Sequence, residues 1–200
     1  MNNLSEMKKL SDEELAAEAR AGSHPCFEEL VCRYSQRLFH FLRSKISTEQ
    51  DTEDLVQETF LKAYRSIDRY DNRYKFSTWL YTTAGRLAIS HYRKKREDGP
   101  AFETVSSAPG PRDNMLKNED QRNLWLAARK LGDDRYRVLW LRYMEDMPLK
   151  EIARVLKKSR VHVRVLLHRA RLSLVKVMVQ PAVSEETMRP APAEKNLSFL

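Results

Sequence analysis

Residues 148–174 read PLKEIARVLKKSRVHVRVLLHRARLSL. The short segment Leu149–Leu156 puts Ile152, Ala153 and Leu156 on one side, the spacing of a helix with a single buried stripe. The polar stretch Lys157–Ser159 interrupts that pattern, and a second helix opens near Arg160. Two helices joined by so short a turn predict a helix-turn-helix, whose second member fits the major groove of duplex DNA. At 100° per residue, Val163, Leu166, Leu167, Ala170, Leu174 and Val177 share its core side. Arg160, Arg164, His168 and Arg171 take the adjoining side, with His162, Arg169 and Lys176 farther round. Cations so placed can reach phosphates and base edges. A solvated basic helix on a bundle would carry the same charges, but the short helix and turn ahead of it favour DNA.

Helical periodicity extends upstream through most of the chain. Ser11 and Glu14 form a capping-box pattern ahead of LAAEARA, and Gly22 ends that helix. After Pro25, the residues Phe27, Leu30, Val31, Tyr34, Leu38, Phe41 and Leu42 recur at three and four, giving one apolar stripe. A third helix is predicted from about Glu49 to Ile67, a loop over Arg69–Lys75, and a fourth helix from about Ser77 to Arg96. The segment 97–114 holds Gly99, Pro100, Pro109, Gly110 and Pro111 with little periodicity and reads as a flexible linker. Periodicity returns over 115–179, and the Pro-rich stretch 180–200 reads as a disordered tail. The predicted fold is all-α: two small helical domains, 11–96 and 115–179, the second containing the helix-turn-helix.

Composition agrees. The 200 residues include only 5 Gly and 8 Pro, which favours long helices over turn-rich sheet. The net charge of +8 draws the chain toward phosphate, anionic membrane or acidic protein. No apolar run reaches the roughly 18–20 residues a membrane span needs. The first residues, MNNLSEMKKLSDEEL, lack the apolar core of a signal peptide. A cytoplasmic protein with no membrane contact is expected. Cys26 and Cys32 lie six apart on one helix and point to different sides, so they are expected as reduced, buried or half-buried thiols rather than a disulfide. Metal-ligand pairs, phosphate loops and nucleophile elbows are absent from the sequence. No catalytic residue, metal or cofactor is expected, and the chain is read as a binding protein rather than an enzyme.

Two further segments carry candidate surfaces. On the predicted third helix, Val56, Thr59, Phe60, Ala63, Tyr64 and Ile67 form a buried face. Asp54, Gln57, Glu58, Leu61 and Arg65 form the other. Carboxylates repel DNA, and a leucine among them marks an interface with basic protein as the alternative to an ordinary solvated face. Next comes RYDNRYKFSTWLYTTAGRLAISHYRKKR, residues 69–96. Its aromatics can stack on unpaired bases while its cations neutralise a strand. Trp79, Thr82, Arg86, Ser90 and Arg93 share one side of the following helix, opposite Leu80, Ala84, Leu87 and Ala88.

The stretch DTEDLVQETFLKAY (51–64) is very similar to the polymerase-binding helix of the extracytoplasmic-function (ECF) sigma factors of bacterial RNA polymerase. PLKEIARVL…VHVRVLLHRARLSL, with RKLGDDRYRVLWLRYMEDM before it, resembles their C-terminal domain. The resemblance implies a chain that binds core RNA polymerase, recognises promoter DNA and supports its opening. It implies docking on the polymerase coiled-coil clamp through Asp54, Gln57, Glu58 and Leu61. It implies capture of a melted minus-10 strand by Asn72, Arg73, Tyr74, Lys75 and Phe76, with Trp79, Arg86, Ser90 and Arg93 on the adjoining helix. It implies minus-35 contacts by Arg160, His162, Arg164, Val165, His168 and Arg171. In that family an anti-sigma protein can hold the two domains closed; the sequence shows none. Departures are present: Lys157 stands where the turn commonly has Gly, and no Asn stands near Arg86. Val161, Val165 and Leu172 form a second apolar strip on the polar side of the reading helix. That strip predicts altered minus-35 readout or a protein contact. Two other readings compete: a helix-turn-helix regulator, which leaves 51–64 unexplained, and a sigma-like interaction protein without initiation activity.

Overall fold

The computed structural model describes residues 7–46, 48–97 and 119–179. These are helical throughout, without a strand: α1 (Asp12–Arg20), α2 (His24–Arg43), α3 (Glu49–Arg65), α4 (Phe76–Glu97), α5 (Glu119–Arg129), α6 (Asp133–Tyr143), α7 (Leu149–Val155) and α8 (Arg160–Val179). A 3-10 turn, Ile67–Arg69, follows α3. The expected linker, apart from Glu97, and the expected tail fall outside the described residues.

Local signals set the helix ends. Ser11 Oγ accepts from the Glu14 N–H at 3.2 Å while the Glu14 carboxylate accepts from the Ser11 N–H at 2.7 Å, so two orphan donors of α1 are satisfied. Those bonds hold the Glu14 carboxyl below the usual range. Thr48 caps α3 through the Asp51 N–H at 3.1 Å. Gly22 ends α1 with φ of +103°, a conformation that costs other residues steric strain.

Helix α2 is the spine of the first domain; α1, α3 and α4 all pack on it. Leu30, Tyr34, Leu38, Phe41 and Leu42 are buried along its stripe. Arg33, bonded to Glu29 of its own helix at 2.8 Å, fastens α1 through Asp12, also at 2.8 Å. The Tyr34 hydroxyl donates to Asp12 at 2.5 Å. In the second domain Trp125, Tyr136 and Trp140 form a cluster with ring centroids 5.0–5.8 Å apart. Each such buried aromatic contributes on the order of 2–3 kcal/mol. Helix α8 packs on α5, α6 and α7.

The two domains touch. Gly85 of α4 lies under α6 and α7: a Cβ there would stand 3.3 Å from Arg137 Nη2 and 3.6 Å from the Val155 carbonyl oxygen. The Arg137 guanidinium sits 4.5 Å from the Phe41 ring centroid. Glu145, just past α6, has a side chain 0% exposed. Its carboxylate accepts from Arg37 Nη2 at 2.7 Å, Arg37 Nε at 3.0 Å and the Tyr81 hydroxyl at 2.7 Å. Burial raises the Glu145 carboxyl above the usual range, with Arg37 and Tyr81 pulling the other way. For Arg37, burial is outweighed by Glu145 and the guanidinium is raised. Both are raised, for opposite reasons: burial disfavours the Glu145 carboxylate, whereas the neighbouring carboxylate favours the charged form of Arg37.

Three residues stand elsewhere than the sequence suggests. Tyr64 is 37% exposed instead of buried, because it sits where α2 begins and leans on Phe27 with its hydroxyl 2.6 Å from His24 Nδ1. Cys32 is exposed and Cys26 buried; both are free thiols. Phe76 is the first residue of α4, not a loop residue, and is fully buried.

Candidate docking and nucleic-acid interfaces

Helix α3 buries Leu55, Val56, Thr59, Phe60 and Ala63 against its neighbours. Asp54, Gln57, Glu58 and Leu61 consequently emerge together on the opposite arc, all exposed. Leu61 is 56% exposed, an apolar side chain held among carboxylates. One edge of this face meets an apolar cleft of about 490 Å³ between α2 and α3, floored by Phe27, Val31, Val56 and Phe60. The other edge meets a more polar cleft of about 620 Å³, where Glu58 and Leu61 face Arg65, Arg69, Trp79 and Arg86. The acidic face of α3 and the cationic side of α4 therefore share a border. The His24–Tyr64 pair is not visible in the sequence, because periodicity cannot show a contact made across helices.

The loop before α4 is built from its own side chains. Arg73 folds onto Asp71, with Nη2–Oδ2 at 2.7 Å and the Arg73 N–H on Oδ1 at 3.1 Å. Bonding to Arg73 holds the Asp71 carboxyl below its usual range. The Tyr70 hydroxyl donates to the Tyr74 carbonyl at 2.7 Å, closing the turn. Burial pushes the Tyr70 phenol well above its ordinary range. Asn72, Arg73, Tyr74 and Lys75 are exposed at the tip. Phe76 cannot meet a base in this arrangement. Its ring packs between Tyr34 and Tyr70, each 5.7 Å away, and its N–H donates to Glu13 at 3.0 Å. Trp79 is half-buried, 5.4 Å from Tyr70 and 5.8 Å from Phe76. Phe76 is thus a support for the loop rather than part of its surface. Arg86, Ser90 and Arg93 are exposed in a row along α4.

The second domain covers part of this surface. Arg154 of α7 places its guanidinium 4.2 Å from the centroid of the Tyr74 ring. The Thr78 hydroxyl donates to Glu151 of α7 at 2.5 Å. Tyr74 stays 43% exposed but is flanked by a cation from the other domain.

On the helix-turn-helix, Lys157 carries the turn with φ of +52°. Without glycine's freedom, this residue holds a left-handed conformation that costs about 1 kcal/mol. The next residue, Lys158, bonds Asp134 of α6 at 2.9 Å and anchors the turn. Ser159 Oγ caps α8 by accepting from the His162 N–H at 3.1 Å. Val163, Leu167 and Ala170 are buried, and Leu166 and Leu174 are partly so. Arg160, His162, Arg164, Val165, His168 and Arg171 are all exposed. Arg171 is held by Tyr143, with Nε 2.5 Å from the hydroxyl.

Among the described residues no cluster of His, Cys, Asp and Glu could hold a metal ion, and no helix is long and apolar enough to cross a membrane.

Known proteins share this arrangement. Residues 30–97 match Sigma-70 region 2, and residues 121–174 match Sigma-70 region 4. The chain is 30% identical to RNA polymerase sigma factor YlaC of Bacillus subtilis, covering 79% of this chain and 95% of that one. It is 28% identical to the ECF RNA polymerase sigma factor SigW of the same organism, covering 80% and 92%. Among solved structures, CnrH in complex with the cytosolic domain of CnrY aligns with a TM-score of 0.60 at 27% identity, covering 84% of this chain and 96% of that one. The sigma factor RpoE of Bartonella quintana, in complex with the anti-sigma factor NepR, shares the fold with a TM-score of 0.63 at 24% identity, covering 78% and 98%. With both sigma regions in order and relatives covered nearly end to end, the chain belongs to the ECF group of RNA polymerase sigma factors, which direct promoter recognition at transcription initiation.

Proposed function

We propose that the acidic arc of α3, with Asp54, Gln57, Glu58 and Leu61, is the surface that grips core RNA polymerase. The observation carrying this is an exposed leucine among carboxylates beside an apolar cleft, a surface repelled by DNA and suited to a basic protein. Residues 11–96 form the docking and minus-10 domain, 97–114 the linker, 115–179 the minus-35 domain and 180–200 a tail. Asn72, Arg73, Tyr74 and Lys75 offer stacking and charge to an unpaired strand; Trp79, Arg86, Ser90 and Arg93 continue that track. Arg160, His162, Arg164, Val165, His168 and Arg171 face the major groove. Pulling a base from the stack costs a few kcal/mol, and contacts at two linked promoter elements offset it through effective concentration.

The chain supplies binding energy and the polymerase supplies the chemistry, in the cytoplasm, without catalytic residues or a cofactor of its own. Tyr74 is flanked by Arg154 when the domains pack together, so the domains part before the loop takes a strand. An anti-sigma partner is part of this reading: RpoE of Bartonella quintana, which shares the fold, is seen in complex with the anti-sigma factor NepR.

Charge reversal at Asp54→Lys and Glu58→Lys tests the docking face. Binding to core polymerase should fall at least about tenfold, as loss of two complementary charge contacts requires. Run-off transcription should disappear while the melting temperature stays unchanged. Unaltered holoenzyme assembly would overturn the assignment. Assembly without any promoter-directed transcript, even in the parent chain, would favour a sigma-like interaction protein.

A further inference from the structure

Helix α8 carries more apolar surface than a DNA-reading helix uses. Val161, Val165, Leu172, Val175 and Val179 are 43–71% exposed, and His168 is exposed among them. These six positions follow one another at intervals of four, three, four, three and four. That is the spacing of a coiled-coil seam. At 100° per residue they share one stripe opposite the buried Val163, Leu167 and Ala170. The stripe runs for roughly 27 Å at 1.5 Å per residue. Base contacts come from the first turns of a reading helix. Beyond Arg171, the last residue given to the minus-35 contacts, Leu172, Val175 and Val179 are left without a use.

The flanks say what fits. His162, Arg169 and Lys176 line one edge of the stripe, and Arg164 and Arg171 the other; residues 160–179 contain no Asp or Glu. A second copy would set cations against cations in either orientation, which the flank positions of paired helices do not tolerate. We propose that this seam binds an amphipathic helix of another protein, apolar at its seam positions and acidic at its flanks. The occupant would cover Arg164, His168 and Arg171 as well. Its binding therefore excludes the minus-35 contacts; that part rests on the reading of α8 as the DNA-facing helix, and the pairing itself does not.

The test uses the full chain and a dye-labelled helical peptide of about three heptads with Leu and Ile at the seam and Glu at the flanks. Fluorescence anisotropy should show saturable binding that weakens with salt. A peptide with Lys at the flanks should not bind. Leu172→Glu with Val175→Glu should weaken binding at least about tenfold, the scale of losing a buried apolar anchor pair. Both side chains are more than half exposed, so circular dichroism should show unchanged helicity. A milder Leu172→Ser with Val175→Ser pair should move affinity in the same direction. Binding that ignores these substitutions, or no binding at all, would overturn the proposal. So would a parent chain that sediments as a dimer and becomes monomeric in the Glu variant, or one that binds the peptide only after residues 180–200 are removed. The assay contains no DNA, so a failure of promoter binding leaves its outcome unchanged.

Discussion

Removing the Glu145 carboxylate should part the two domains without unfolding either. The group sits on the second domain, while its partners Arg37 and Tyr81 belong to α2 and α4 of the first. Glu145→Ala leaves the Tyr81 hydroxyl, on a fully buried side chain, without its acceptor, at about 1–3 kcal/mol. It also leaves the Arg37 charge without its carboxylate. Breaking a buried pair costs about 3–5 kcal/mol, and the 27% exposure of the Arg37 side chain puts this case at the low end. A loss of about 3 kcal/mol shifts the packed-to-parted ratio by about 150-fold. Glu145→Gln also leaves the Arg37 charge uncompensated but keeps an acceptor for Tyr81, so it should cost less than Ala by that one hydrogen bond, about 1–3 kcal/mol. Small-angle scattering reads the outcome as a larger radius of gyration for the Ala variant, with the Gln variant between it and the parent. Helical circular dichroism should persist in both. If Glu145→Ala scatters like the parent, or loses helicity before it expands, the interface is not held as argued.

Gly85→Leu should part the domains by a different route. Its atoms beyond Cβ would meet the Val155 backbone, while α4 gains about 1 kcal/mol in helix propensity, so scattering should expand without loss of helix. Lys157→Gly should raise the melting temperature by about 2–4 °C by relieving the left-handed residue in the turn; an unchanged or lower value would argue against strain there. The phenols of Tyr34, Tyr70 and Tyr81 are raised by burial above the ordinary value of about 10. A raised acid stabilises the fold fully below its unfolded value and ceases to do so as pH climbs through its folded one. In an alkaline absorbance titration these three should ionise late, together with loss of helical signal. All eight tyrosines titrating as one group near 10 with helicity intact would contradict this.

The helices of each domain were legible because their signals are local. The Ser11–Glu14 box, the α2 stripe and the pause at Lys157–Ser159 all lie within a few residues of what they determine. Phe76 misled because it follows a run of loop residues, and only Tyr34 and Tyr70, brought in by the fold, reveal the space its ring fills. Tyr64 lies on the inward arc of its own helix but at the level where α2 starts, so little stands over it. The contact between domains was not legible at all. Arg37 and Glu145 are 108 residues apart, and MEDM after α6 has the composition of any polar helix exit. Residue types announce helices and faces; which faces meet depends on shapes that no single segment encodes.

The stack of Arg154 on Tyr74 bears on how a surplus of the factor behaves. A protein with net charge +8 and an open aromatic loop would linger on any frayed chromosomal strand it met. Arg154 takes up part of that ring while Tyr74 stays 43% exposed, so full stacking on it belongs to the fraction of molecules whose domains have come apart, and the apparent affinity of such stacking drops accordingly.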